Sequence, residues 1–274
     1  MPRPFSPVDA IPLEDQRGQS FPRLVELMQR LLAPDGCPWD REQTPESLRR
    51  YVLEEACEVI DAIESGKVEA IREELGDLAL QVVFLAELFR NRGEFGPDDV
   101  VKGIVDKLVH RHPHVFGDVD VENADEVLRN WERLKASEKK DRGLLEGVPR
   151  ALPALTRAQR IGEKVARVGF DWPDARGSRA KVQEEIGELD QAIESGDRDK
   201  MEEELGDVLF ALVNLSRHLN LDAEGALRRT MAKFEKRFAH VEKQVREKHG
   251  GFPKPGEGAL PLEELDRYWE EAKE

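Results

Sequence analysis

Cysteine is scarce in this chain. Cys37 and Cys57 are the two in 274 residues, and they form neither a CxxC pair nor a disulfide framework, so a reducing compartment is expected. Long apolar runs are missing too. None reaches the roughly 20 residues a membrane-spanning helix needs, and the opening MPRPFSPVDAIPLEDQ has no apolar stretch of signal-peptide length. The expectation is a soluble cytoplasmic protein without a membrane partner. Positive charge is also short, with 42 Lys and Arg against 57 Asp and Glu, a net charge of −15. That balance speaks against a nucleic-acid polymer as partner, but not against a nucleotide, whose phosphates can be met by a metal and a few cations. No Gly-rich loop follows an apolar strand and nothing alternates as βαβ, which removes the P-loop and dinucleotide-binding folds.

What remains is charge arranged with helical period. Charged residues make up 36% and aromatics 6%, and proline and glycine keep to segment ends. This suits an all-α chain. Residues 1–19 read as a Pro-rich lead-in, 20–140 as a first helical module, 141–153 as a connector and 154–274 as a second module. Helices are expected at 20–33, from Thr44 (a cap followed by Pro45) to Gly66, then at 67–91, 98–112, 123–140, 154–167, 179–195, 198–219, 222–248 and 261–273. The stretches Cys37-Pro38-Trp39-Asp40 and Val168 to Pro173 read as loops, with Trp39 and Trp172 plugging their modules. Cys57 reads as a small core residue.

The chain repeats itself. Ala62-Ile63-Glu64-Ser65-Gly66 recurs as Ala192-Ile193-Glu194-Ser195-Gly196, and Glu73-Glu74-Leu75-Gly76-Asp77 as Glu203-Glu204-Leu205-Gly206-Asp207, both 130 residues on. The stripe Val52, Ala56, Val59, Ile63 recurs as Val182, Ile186, Leu189, Ile193 at the same offset. Lys107, Arg111 and His114 resemble Lys233, Arg237 and His240, and Trp131 corresponds to Trp269. A tandem duplication of one helical module follows.

The stretch Lys181 to Asp207 carries the chemistry. Lys181, Glu185 and Glu188 on one helix, and Lys200, Glu204 and Asp207 on the next, share the spacing i, i+4, i+7, which lies on one helical strip. Glutamates on helices usually just face water. Here, with Ile186 as zero, Glu185, Lys181 and Glu188 fall at about −100°, −140° and −160°, flanking the apolar stripe. Glu204 and Asp207 run straight into Val208 to Val213, apolar almost all round and expected to be buried. Two carboxylates about 4 Å apart repel by roughly 4 kcal/mol at an effective dielectric near 20, so converging acids call for a cation. All-oxygen ligands point to Mg²⁺, Mn²⁺ or Ca²⁺; Mg²⁺ fits best, because it keeps several waters and binds phosphate oxygens alongside one or two carboxylates, with Mn²⁺ a substitute. Neither repeat supplies the Glu-x-x-His of a di-iron bundle. The helix at 222–248 carries a stripe of Leu227, Met231, Phe234, Phe238, Val241 and Val245, with Lys233 and Arg237 beside it. Together with Lys181 and Lys200 these offer four cations to a polyphosphate. His110, His112 and His114 alternate near a helix end and read as a surface turn.

At EExxE…EELGD, with CPWDREQT upstream and VGFDW in the second half, the chain resembles the MazG nucleoside triphosphate pyrophosphohydrolases. The resemblance implies an all-α NTP pyrophosphatase fold, a homodimer, Mg²⁺ dependence, and hydrolysis of NTPs or dNTPs to the monophosphate and pyrophosphate by water attack at the α-phosphorus. It implies Glu185, Glu188, Glu204 and Asp207 as metal ligands and catalytic groups alongside Lys181. Nucleotide contacts would come from Lys181, Glu184, Lys200, Glu203, Asp207, Lys233, Arg237 and Trp269. In the first module Glu55, Glu58, Glu74 and Asp77 keep the acids, but Tyr51 and Ala70 replace the two lysines, so the second module is expected to do most of the chemistry. Two rivals stand beside this reading: a phosphohydrolase of narrower, house-cleaning or dUTPase-like taste, and a helical scaffold without activity.

Overall fold

In the computed structural model the described residues are 21–123, 126–127, 130–131, 134, 143–254 and 258–273. The expected lead-in, most of the helix at 123–140 and the first two connector residues lie outside them. Every described element is a helix, and no strand occurs among the described residues. None of the described helices is long and apolar enough to cross a membrane. Contacts divide the chain into two units, Met1–Glu138 and Lys139–Glu274.

The first unit runs α1 (Phe21–Leu32), α2 (Pro38–Glu42), α3 (Pro45–Ser65), α4 (Val68–Asn91), α5 (Pro97–Arg111) and α6 (Pro113–Phe116). The second runs α7 (Ala154–Ala166), α8 (Ala175–Ser195), α9 (Arg198–His218), α10 (Ala223–His249) and α11 (Leu262–Glu271). Each is organised on a helical hairpin, α3 with α4 and α8 with α9.

The hairpins are cut to length by their ends. Thr44 Oγ1 accepts from the Ser47 N–H at 3.2 Å and Ser47 Oγ from the Thr44 N–H at 3.0 Å, a reciprocal cap that opens α3. Asp174 opens α8 by accepting from the Arg176 N–H at 2.8 Å, which starts this helix four residues earlier than the pattern suggested. Both first arms stop on a left-handed residue, Gly66 at φ 68° and Gly196 at φ 70°, where a side chain would be strained and glycine is not. Asp197 then caps α9 through the Asp199 and Lys200 N–H groups.

In the first unit α1 and α4 close a core of Met28, Leu48, Val83 and Phe84, none more than 5% exposed; each such side chain is worth about 1.5–3 kcal/mol of burial. In the second unit the α8–α9 seam buries Val182, Ala192, Val208, Ala211 and Val213. A separate cluster of Val241, Val245 and Tyr268 fastens α11 to the far end of α10.

Several expectations are corrected here. Pro38–Glu42 is a short helix, because Pro38 at its first turn favours one. The stripe through Ile186 is not the buried one: α8 buries Ser178, Val182, Glu185 and Ala192, while Ile186 and Ile193 are exposed. Leu209, Phe210 and Leu212 are exposed as well, since α9 has a hairpin partner on one side only. On α10 the stripe is half used; Val241 and Val245 are buried, whereas Leu227, Met231, Phe234 and Phe238 are not. Trp39 and Trp172 are 53% and 39% exposed, at the rim and not in a core; Trp39 meets Tyr51 edge-on and Trp172 lies against Gly177. Cys57 is exposed, on the outer side of α3.

Candidate metal centre

The α8–α9 hairpin brings Glu185 and Glu188 opposite Glu204, with one oxygen of each within 4.8 Å of the others. Glu185 lies in the seam itself, 5% exposed. A carboxylate so placed needs a partner, and Lys181 provides it from one turn earlier, with Nζ 2.5 Å from Glu185 and 2.8 Å from Glu184. Hydrogen bonds to these two acids raise the ammonium well above the ordinary lysine pKa. Glu188 is pushed up from its ordinary value by desolvation and then by Glu185 and Glu204, with Lys181 pulling the other way.

Asp207 does not join them. It is exposed and outside the three-oxygen group, being about 300° round and 4.5 Å along the helix from Glu204. Glu184 is spent on Lys181. Glu203 is exposed. Lys200 and Lys233 are exposed too, and no ion pair among the described residues uses their ammonium groups. Arg237 lies over the Trp269 ring at 5.8 Å, and Trp269 leans on Phe234 at 4.9 Å. No described hydrogen bond, ion pair or ring contact ties Lys233, Arg237 or Trp269 to the carboxylate cluster. They form a second locale, on α10 and α11.

The first unit repeats the geometry with different electrostatics. Glu55, Glu58 and Glu74 also bring oxygens within 4.8 Å of one another, and Asp77 is again outside that group. Desolvation raises the pKa of Glu55, with Asp77 and Glu58 adding to it, and that of Glu74, with Glu58, Asp77 and Glu73 adding. No lysine answers. Tyr51, at the place of Lys181, takes a hydrogen bond from Arg50 instead and meets the edge of Trp39. Gln81 reaches Glu55 at 3.5 Å, leaving its own Oε1 buried without a partner. The repeat extends to the second locale, where Arg111 lies over Trp131 at 5.5 Å. The three histidines contribute no metal group among the described residues, although the His112 and His114 rings approach to 5.6 Å.

Sequence reasoning passed over one feature at the far end of α9. The loop between α7 and α8 is fastened to the end of α9 by Asp171, which accepts from Arg217 at 2.5 Å and stands 3.0 Å from His218 Nε2. The Arg217 hydrogen bond holds the Asp171 carboxyl below the ordinary range. A cavity of about 380 Å³ opens there. Its only signal was the aromatic pair in VGFDW.

The description of a MazG nucleotide pyrophosphohydrolase domain matches the chain twice, over residues 43–116 and 177–242. Each match contains one hairpin and one carboxylate cluster. The nucleoside triphosphate pyrophosphohydrolase/pyrophosphatase MazG of Thermotoga maritima is 45% identical over 94% of this chain and 97% of its own length. The nucleoside triphosphate pyrophosphohydrolase of Escherichia coli K12 is 45% identical over 92% of this chain and 96% of its own. YabN, an uncharacterized protein of Bacillus subtilis, is 41% identical over 93% of this chain and 52% of its own length. With two domain matches and such relatives along nearly its whole length, the chain belongs to the MazG nucleotide pyrophosphohydrolase family.

Proposed function

We propose that this MazG-family hydrolase converts nucleoside triphosphates to the monophosphate and pyrophosphate at its second unit, with a divalent cation held by Glu185, Glu188 and Glu204. The observation that carries this is the convergence of three carboxylates from two helices around Lys181. The donor set fits the ion: all oxygen, crowded enough to push Glu188 up, and partly accessible, as befits Mg²⁺ that keeps waters and takes phosphate oxygens alongside one or two carboxylates. When bound, Mg²⁺ supplies Lewis-acid polarisation of the phosphate and acidifies water.

The side chains do the rest. Lys181, anchored by Glu184 and Glu185, offsets charge on the phosphates, the electrostatic contribution that is commonly largest in such reactions. Desolvation, with Glu185 and Glu204 nearby, raises the pKa of Glu188, which strengthens it as a proton acceptor. We assign to the carboxylate cluster the proton that leaves the attacking water. The oxygen of water bonds to the α-phosphorus as the bond to the bridging oxygen breaks, and pyrophosphate departs. Asp207, one turn beyond Glu204, is placed to join once a ligand fills the site.

No ion pair of Lys233 or Arg237 occurs among the described residues. Both residues border the uncovered half of the α10 stripe, and α8 and α9 expose Ile186, Leu205 and Leu209. A second copy docked through these faces would cover them and bring the α10 cations to a partner's phosphates, so a homodimer is the proposed working form. Trp269 then holds the Arg237 guanidinium flat.

Pyrophosphate release from a panel of NTPs and dNTPs, with and without Mg²⁺, tests the proposal. Release from none of them in the presence of Mg²⁺ would sink it. Hydrolysis in ¹⁸O water is expected to place the label in the monophosphate; label in the pyrophosphate contradicts α attack.

A further inference from the structure

The far part of α10 has no counterpart in the first unit. Arg111 and Arg237 each stand over a tryptophan, but α5 ends at Arg111 whereas α10 continues past Arg237 to His249, roughly three further turns. Those turns carry the buried Val241 and Val245, and against them sits Tyr268 of α11, 0% exposed. A phenol so placed needs an acceptor for its hydroxyl. Glu264, one turn earlier on α11, supplies it. The same carboxylate stands 3.0 Å from His249 Nε2 in the last turn of α10, and 3.7 Å from the Arg267 guanidinium. Lys248 lies over the Tyr268 ring at 4.2 Å. The Tyr268 hydroxyl first, and His249 next, hold the Glu264 carboxyl below its ordinary range.

The other end of α11 meets α10 as well. His240 Nε2 is buried without a hydrogen bond, and Glu271 Oε2 stands 3.6 Å from it. Since Glu264 meets His249 while Glu271 meets His240, α11 runs back along α10 toward Arg237.

This fastening sets the place of one side chain. Tyr268 and Trp269 are neighbours, and successive residues of a helix point about 100° apart. With Tyr268 seated on Val241 and Val245, the rotation of α11 about its axis is fixed. Trp269 then falls on Phe234 at 4.9 Å and under the Arg237 guanidinium at 5.8 Å. A guanidinium resting on a ring keeps its N–H donors in its own plane, directed outward, which suits a phosphate. With Trp131 set against Trp269, the first unit has Asn130 in place of Tyr268. Its Glu126, at the place of Glu264, accepts from the Glu122 N–H at 3.0 Å. The unit with a lysine at its carboxylates is therefore also the unit with the fastened tryptophan.

We propose that Glu264 and Tyr268 are positioning residues for the hydrolysis: with His249 they lock the rotation of α11, so that Trp269 presents the Arg237 guanidinium to the phosphate chain. Neither touches substrate, and both act through Trp269. The inference rests on the reading of Arg237 as a cation for the phosphates.

The test uses the full chain, an NTP with Mg²⁺, and the emission of Trp269, taken as the part of the fluorescence that Trp269→Phe removes. Arg237→Ala is expected to raise KM several-fold. Glu264→Ala should raise KM about threefold or more, the scale of an exposed cation–ring contact, with kcat within about twofold, as for a binding contribution shared by ground and transition states. Its Trp269 emission should move to longer wavelength as the ring leaves Phe234. Tyr268→Phe, which keeps the core filled and guards against a folding defect, should change both in the same direction by less. Adding Glu264→Ala to Trp269→Ala should cost less than about twofold beyond Trp269→Ala alone, because residues acting through one another are not additive. Glu264→Gln, whose amide oxygen still accepts from the hydroxyl and the imidazole, should keep KM within about twofold of the wild type.

Unchanged KM in Glu264→Ala and Tyr268→Phe, where Arg237→Ala raises it, overturns the proposal. Additive losses in the double variant overturn it too, since the contact would then serve only stability. Should Arg237→Ala leave KM unaltered, the reading of α10 as phosphate-facing fails, and the role given to Glu264 falls with it. A shifted Trp269 emission in Glu264→Ala would in that case mark the fastening as real and its purpose as wrong.

Discussion

The two halves of this chain hold the same three acids in the same hairpin and differ in what surrounds them. The first unit, with Tyr51 and Gln81 around Glu55, leaves its carboxylates without a cation of their own, and Phe84 and Leu48 fill the ground beneath the hairpin. The second has Lys181 against the buried Glu185, and Asn214 where Phe84 would be. One copy has invested in packing, the other in accessible polar surface. Both copies keep the three-acid geometry, and the difference lies in the neighbours, Lys181 in the second and Tyr51 in the first. A motif match alone does not show this; the residue one turn before the acids does.

The largest separation should appear in the acids. Glu204→Ala is expected to lower kcat/KM by about 10²–10³-fold, as loss of one preorganised electrostatic group commonly does, and Glu74→Ala by about threefold at most. Steady-state pyrophosphate release measures both, and an equal or larger loss from the Glu74 change would erase the proposed division of labour.

Lys181 sharpens the same contrast at smaller cost. Lys181→Met is expected to reduce kcat/KM about tenfold or more, because the phosphates lose a cation and Glu185 is left buried without its partner. Tyr51→Lys, its mirror in the first unit, should leave total activity within about twofold while tightening Mg²⁺ binding there little. A large gain from Tyr51→Lys would show that the missing lysine alone silences the first unit.

The cation itself should show in stability. A carboxyl whose pKa is raised in the folded state, as for Glu188, binds its proton more tightly there than in the unfolded chain. Ionising it therefore costs stability as pH climbs above the ordinary value of 4.5, and the full cost is present once the folded pKa is passed. Mg²⁺ competes for the same oxygens and should offset that cost. Millimolar Mg²⁺ with a non-hydrolysable NTP is expected to raise the melting temperature by about 5 °C at pH 7.5, and by clearly less at pH 5. A scaffold without a metal centre would melt unchanged at both.

How far the sequence reaches is clear from particular residues. Helix ends were legible at Thr44, Gly66, Gly196 and Asp197, though the Asp174 cap that opens α8 was missed. The repeat and the convergence of Glu185, Glu188 and Glu204 were legible too; the stacking of Arg111 and Arg237 on Trp131 and Trp269 was not. What stayed hidden is which of two apolar stripes a helix buries. On α8 the positions of Val182 and Ala192 share a seam with Glu185, yet Ile186 and Ile193 make an equally good stripe on paper, and a periodicity count weighs them alike. Asp207 follows Glu204 at the step by which Glu188 follows Glu185, yet it lies outside the three-oxygen group. Trp39 and Trp172 misled for a related reason: large aromatics suggest a core, and here they stand at the rim.

The smallest effect expected is at the first unit's loop, where Trp39→Ala should leave KM for every NTP within about twofold and lower stability by no more than about 1 kcal/mol, as befits a half-exposed ring.

The central claim is most directly tested by Mn²⁺ in crystals grown with a non-hydrolysable nucleoside triphosphate. Anomalous scattering is expected to place the ion among Glu185, Glu188 and Glu204, in contact with phosphate oxygens. Anomalous density located elsewhere, with these three carboxylates turned apart into solvent, would contradict the account.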